Sequence, residues 1–212
     1  AAETGDKNAT IVTAMSDRDQ AISNVLYSAF GNSGQKCSAT SLLILEKEVY
    51  ADQNFKRQLV DAARSFATGS AWNFSNKMGP LIHPPRNDLA KALTELESGE
   101  TWALKPENIA GNARMWTPGI KWGVRPGSYT HMTEFFGPLL GVMRADDLDQ
   151  AIARASASGK SVMLDFYADW CVSCKEMEAF TFSDPAVQAA LKDVILLKAD
   201  VTPNDEKDQA LN

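Results

Sequence analysis

Gly31–Thr40, GNSGQKCSAT, runs straight into the apolar stretch Leu42-Leu43-Ile44-Leu45, and this passage decides how the chain is read. Gly31 and Gly34 among small polar residues mark a turn, and a short apolar run bounded by such a turn reads as a buried strand. Helical spacing of Ala21, Ile22, Val25, Leu26, Ala29 and Phe30 precedes the turn. Helix, glycine turn, Cys37 and strand together predict a layered α/β fold with the thiol at its mouth. Lys36 stands beside the cysteine, and a thiolate forms near neutral pH only with access and nearby positive charge or backbone donors. The glycines let backbone approach a reacting carbonyl, whose oxyanion the N–H groups around Cys37 can stabilise. The competing reading is an inert small hydrophobe, the commoner state of a lone cysteine.

Outward from this centre, Asn8–Ala14 reads as a strand and Ser16 as the start of a helix, with Ser16 and Asp19 at capping-box spacing. Ala51–Phe66 reads as one helix and Asn87–Leu96 as another. Between residues 68 and 129 Gly, Pro, Trp and Asn are frequent, and Trp102, Trp116 and Trp122 read as packing residues. Phe135–Arg144 reads as a strand and Asp146–Ala157 as a helix with Leu148, Ala151, Ile152 and Ala155 on one face and Gly159 as its stop. A second apolar run, Val162–Ala168, leads into Trp170-Cys171-Val172-Ser173-Cys174-Lys175. A strand ending in C-x-x-C at a helix start is the thioredoxin-like redox arrangement, with half a zinc site as the alternative. Asp184 and Pro185 open a helix to about Lys192, and Val194–Asp200 reads as a strand.

The 212 residues, 44% of them hydrophobic, suffice for one good domain or two small ones. A formal net charge of −6 and a pI near 5.0 argue against a nucleic-acid surface. No apolar run approaches a membrane span, and no basic-then-apolar signal segment opens the chain. Three cysteines make no disulfide framework, and the two histidines, His83 and His131, have no metal-ligand spacing and read as solvated loop residues.

Near the start stands Glu3-Thr4-Gly5-Asp6-Lys7-Asn8, and later Met78-Gly79-Pro80-Leu81-Ile82 and Glu134-Phe135-Phe136-Gly137-Pro138. With GQKCSA these resemble, in order and spacing, the catalytic half of the NAD(P)-dependent aldehyde dehydrogenases. The likeness is strongest to the glutamate-semialdehyde (1-pyrroline-5-carboxylate) dehydrogenase module of bifunctional proline-utilisation enzymes. It covers residues 1–152. The YADWCVSCK and TFSDPAVQ segments resemble the carboxyl-terminal thioredoxin-like domain of thiol:disulfide interchange proteins, and the helix at Asp146–Ala157 suits either family. The expected organisation is therefore an aldehyde dehydrogenase-like portion over 1–145 without its coenzyme domain, then a thioredoxin-like portion over 146–212 without its cis-proline loop and last strands.

The first resemblance implies oxidation of an aldehyde to an acid, with Cys37 as nucleophile, Glu3 as base for thioester hydrolysis, Glu134 holding the nicotinamide ribose of NAD and Phe136 flanking it. Thiolate nucleophilicity and the proton affinity of a carboxylate suit these steps. Asp6 departs from the family's second glycine, and no G-x-G-x-x-G fingerprint is present, so weak or absent NAD binding is expected. The second resemblance implies a redox pair, Cys171 attacking and Cys174 resolving, with Asp165 as proton shuttle, Trp170 as shield and a protein disulfide as partner. The truncated second portion is expected to be marginal. The dehydrogenase reading implies the cytoplasm and the interchange reading the periplasm. A third reading is a chimeric chain in which neither site is complete.

Overall fold

The computed structural model describes residues 7–70, 72–109, 111–157, 161–167, 171–190 and 194–200. Its first strand, β1 (Asn8–Val12), leads to α1 (Arg18–Phe30), a tight turn at Gly31–Gly34, and β2 (Thr40–Glu46). Asp17, not Ser16, caps α1: its carboxylate accepts from Gln20 N–H at 2.7 Å, while Ser16 Oγ accepts from Thr13 N–H at 3.1 Å. The helix expected over 51–66 is α3 (Gln53–Arg64), and a short helix, α2 (Lys47–Ala51), precedes it. Asp52 separates the two, its side chain accepting from Asn54 N–H at 2.8 Å and Phe55 N–H at 3.2 Å, because an aspartate caps a new helix better than it sits inside one.

Next come α4 (Asn87–Thr94), β3 (Thr101–Leu104), β4 (Gly119–Trp122), α5 (Tyr129–Met132), β5 (Leu139–Ala145) and α6 (Leu148–Ser156). The strands form a sheet in the order β1-β2-β5-β4-β3, parallel except for β3 against β4. β2 is buried on both faces, which explains why Leu42–Leu45 is continuously apolar. Leu43 and Leu45 join Val12, Ile120, Leu140 and Val142 under α1, α2 and α3, while Leu42 and Ile44 join Ala9, Ile11 and Met143 under α6. Trp122 is buried in the first of these layers, and Trp102 and Trp116 pack on a third cluster around Leu89, Leu93 and Phe135, in keeping with their reading as packing residues.

Beyond α6, whose expected stop Gly159 lies outside the described residues, β6 (Ser161–Tyr167) pairs in parallel with the final strand. Between them stand α7 (Val172–Glu176), a single π turn over Met177–Thr181, and α8 (Pro185–Ala190). The final strand, β7 (Val194–Asp200), runs beside β1, though no ladder joins them. No helix among the described residues is long and apolar enough to cross a membrane.

His131 is not the solvated loop residue its sequence surroundings suggest. It is buried on α5, with Nδ1 accepting from Gly127 N–H at 2.8 Å and Nε2 paired with the Arg154 carbonyl of α6 at 3.0 Å. The carbonyl can only accept, so Nε2 carries the proton and the ring is the neutral Nε2–H tautomer. Burial, together with the nearby positive charges of Lys7 and Arg154, holds its pKa below the usual 6.5. Above about pH 6.5 His131 is neutral whether folded or unfolded; below it only the unfolded chain readily takes the proton, so folding stability declines. Urea midpoints measured from pH 7.5 down to pH 5 are expected to fall, and His131→Gln, which keeps a donor and an acceptor but does not titrate there, is expected to shallow that fall.

Candidate active site

β1, β2 and β5 are adjacent and parallel, so the residues just before Asn8, Thr40 and Leu139 must converge on one edge of the sheet. Those are the segments that carry Lys7, Cys37 and Glu134–Pro138. The site therefore lies at the amino ends of the strands, whereas ligands of open α/β sheets generally lie at the carboxyl ends.

Cys37 is an exposed free thiol. It occupies a reverse turn closed by Ala39 N–H donating to the Lys36 carbonyl at 3.1 Å. Asn8, where the register of β1 shifts against β2, donates its amide to the Cys37 carbonyl at 2.6 Å and to the Ala39 carbonyl at 3.3 Å. Two side chains then weld the turn to its surroundings. Ser33 Oγ donates to the Gly79 carbonyl at 2.7 Å. Gln35 donates to the Phe136 carbonyl at 3.2 Å, while its own amide oxygen accepts from Ile82 N–H at 3.0 Å.

Glu134 is half-buried, Phe135 buried and Phe136 exposed. Phe136 has φ of +51°, a left-handed conformation that a bulky residue adopts only where surrounding structure imposes it. The segment thus presents a carboxylate and an open aromatic ring on the edge that holds Cys37. A carboxylate accepts hydrogen bonds from a vicinal diol and an aromatic face lies flat on a heteroaromatic ring, so these two groups suit a nicotinamide riboside.

Beneath them, Lys7 Nζ sits 4.5 Å from the centroid of the Phe135 ring. Lys7 is buried, and its Nζ has no hydrogen-bond partner among the described residues. Burial pushes its pKa down from 10.5 to about 7; Lys121 acts in the same direction, while the Glu134 and Glu100 carboxylates oppose the fall. Neither Lys7 nor the Gln35 clamp was marked by local sequence pattern. Lys7 nonetheless stood inside the Glu3–Asn8 motif, and Gln35 inside GQKCSA. Glu3 and Asp6 lie outside the described residues.

At the far end of the chain Cys171 and Cys174 are joined in a disulfide, their Cα atoms 5.3 Å apart. Cys174 N–H donates to Cys171 Sγ at 3.1 Å, a contact that also favours negative charge on Cys171 once the bond is opened. Asp165 stands on β6 in register with Lys198 of β7, and Trp170 lies outside the described residues. The described residues contain no group of three His, Cys, Asp or Glu arranged to hold a metal ion.

The aldehyde dehydrogenase family model matches residues 1–161, most of the chain. This chain belongs to the aldehyde dehydrogenase family. A thioredoxin-like family model matches residues 143–211, overlapping the first across α6. Among solved structures, proline utilization A from Corynebacterium freiburgense is 42% identical with a TM-score of 0.72, covering 84% of this chain and 18% of that one. Proline utilization A from Bdellovibrio bacteriovorus is 30% identical with a TM-score of 0.69, covering 92% of this chain and 19% of its own length. The Thermus 1-pyrroline-5-carboxylate dehydrogenase with bound NAD is 25% identical with a TM-score of 0.66, covering 92% of this chain and 36% of that one. A superposition over 92% of the chain extends past residue 161, so the structural likeness to these dehydrogenases continues into the β6–β7 portion. The thiol:disulfide interchange protein DsbD of Salmonella typhimurium is 60% identical over 70 residues, 33% of this chain and 12% of that protein. The chain thus spans less than a fifth of that relative and of both proline utilization enzymes.

Proposed function

We propose that this aldehyde dehydrogenase family chain supplies the nucleophile and the cofactor-holding carboxylate for NAD-dependent oxidation of an aldehyde of the L-glutamate γ-semialdehyde type. The observation that carries the reading is the meeting of the Cys37 turn with the Glu134–Pro138 segment, through Gln35 and Phe136, at one edge of the sheet. The Cys37 thiolate adds to the aldehyde carbon, and the oxygen of the thiohemiacetal takes the negative charge, which neighbouring backbone N–H groups stabilise. NAD, when bound, supplies the acceptor for the hydride of that carbon. The carbon is left as a Cys37 thioester. Glu3 takes a proton from water, the hydroxide adds to the thioester, and the acid leaves as the thiol is regenerated. Glu134 holds the ribose diol and Phe136 flanks the ring.

Two measurements test this. NADH formation from glutamate semialdehyde is expected to fall about a thousandfold or more in Cys37→Ser, since removing a nucleophile leaves only binding and oxyanion stabilisation. Saturating aldehyde is also expected to protect Cys37 of the unaltered chain from alkylation by iodoacetamide. Equal NADH formation in Cys37→Ser, or no protection, would overturn the reading.

The disulfide and the interchange-protein likeness favour a second reading, thiol–disulfide exchange with a protein partner, Cys171 attacking, Cys174 resolving and Asp165 relaying the proton. Reduction of a disulfide substrate is then expected to survive Cys37→Ser and to vanish in Cys171→Ser. The first reading places the chain in the cytoplasm and the second in the periplasm.

A further inference from the structure

Lys7 is left without a role by the proposed chemistry, yet its buried ammonium finds no hydrogen-bond acceptor among the described residues, and such a group is among the more costly a fold can hold. Its surroundings indicate what that cost supports. It lies one residue before β1, at the amino edge shared with Cys37 and Glu134. Its Nζ rests on the face of Phe135, the residue between the two proposed to hold the cofactor. A desolvated cation over an aromatic face is attracted strongly enough to fix the ring, and with it the backbone that sets Glu134 on one side and Phe136 on the other.

We propose that Lys7 is a positioning residue for the Glu134–Phe136 segment, its buried ammonium holding Phe135 from below and the Glu134 carboxylate by charge, so that the carboxylate is set for the ribose diol. This rests on the cofactor role proposed above for Glu134.

The groups that face Lys7 come from four elements: Glu134 from the segment before β5, Lys121 from β4, Glu100 from the turn before β3, and His131 from α5. The two carboxylates favour its charge and Lys121 opposes it, while the neutral His131 contributes none. Because Lys7 titrates at about 7, the hold is present below that pH and is released as pH rises through it. Carboxylates that hold a cofactor are ionised across that whole range, so a loss of affinity there separates Lys7 from Glu134 itself.

The test uses the full chain and two readouts. In the first, the Lys7 amine is titrated by NMR of ε-13C lysine, its signal assigned by its loss in Lys7→Met. Replacing Glu134 by Gln is expected to lower the midpoint by about half a pH unit or more, as loss of a nearby opposite charge requires. In the second, NADH fluorescence is followed from pH 6 to pH 8.5. Affinity is expected to weaken as pH rises through about 7, to drop about tenfold at pH 6 in Lys7→Met and lose its pH dependence there, and to stay within about threefold of the unaltered chain in Lys7→Arg. Methionine keeps the apolar stem and fills the site, so a purely structural lysine would show neither the altered pH profile nor rescue by arginine. An unchanged Lys7 midpoint in Glu134→Gln overturns the proposal, as does a Lys7→Met chain that binds NADH like the original. An unaltered chain that binds no NADH overturns the cofactor role of Glu134, and the midpoint shift then decides by itself whether Lys7 positions that carboxylate.

Discussion

Gly34→Ala is expected to destabilise the chain by about 2–5 kcal/mol, which at an ordinary urea dependence lowers the midpoint by about 1–2 M. Gly34 has φ of +69°, where a residue with a Cβ is strained whatever the space around it. There is also no space. An added Cβ would overlap the Gly137 carbonyl oxygen, lying 2.7 Å from that carbonyl carbon and 2.9 Å from the Ala29 carbonyl oxygen. All three are backbone atoms, so no rotamer change relieves the clash. The approach they mark is the one that brings the cysteine turn against the Glu134–Pro138 segment, and pushing them apart would also lengthen the Gln35 bond to Phe136. Alkylation of Cys37 and NADH formation are therefore expected to change along with stability. Gly79→Ala is the matched control: the Gly79 carbonyl accepts the Ser33 bond in the same site, yet nothing lies within 4 Å of an added Cβ there. An equal loss from the two substitutions would refute the assignment of the effect to the Gly34–Gly137 approach.

The second large effect concerns the ion pair of Lys121 and Glu100. Their charged atoms are 3.4 Å apart, and the two side chains are 2% and 1% exposed. Lys121 also reaches Thr130 Oγ1 at 3.4 Å, and Glu100 accepts from Glu97 N–H at 3.0 Å. Glu97 in turn accepts from Thr130 N–H at 3.2 Å, so the network ties β4 to α5 and to the turn before β3. Glu100→Gln leaves the ammonium buried without its counter-charge and is expected to cost about 3–5 kcal/mol at neutral pH. Replacing both partners, Glu100→Leu with Lys121→Met, removes the two charges together and is expected to cost much less or to stabilise. Burial already holds the Lys121 pKa below its usual 10.5, and loss of Glu100 takes it lower. In Glu100→Gln the unfolded chain then binds the proton more tightly than the folded one, so its stability is expected to recover as pH rises through that lowered value toward 10.5. Urea midpoints of the single and double variants at pH 7 and pH 9.5 measure both effects, and a single substitution as mild as the double one would remove the claim.

Several elements were legible because their causes are local. β2 announced itself by four consecutive apolar residues between a glycine turn and charge, and the structure shows those residues alternating between two cores. The C-x-x-C pair stood at the end of an apolar run and forms a disulfide next to α7. Capping was harder to place, since Ser16, Asp17 and Asp19 offer competing acceptors within four positions, and only backbone geometry selects Asp17. His131 misled for a related reason. Its neighbours Ser128, Tyr129 and Thr130 read as a polar surface turn, and only the packing of α6 over α5 buries the ring.

The residues of this chain by themselves set the period of each element, the turn at Gly31–Gly34, and the order in which the family motifs arrive. They did so because propensity, side-chain parity and turn chemistry act over a few residues. The strand order β1-β2-β5 was decided in the tertiary structure, and that order alone puts the starts of three separate strands on one edge. Gln35 and Phe136 are 101 residues apart in the chain and share a hydrogen bond, and Lys7 comes to lie beneath Phe135, because neighbouring parallel strands align their amino ends. No local pattern encodes such a meeting; it follows from how the buried faces of the strands choose their neighbours.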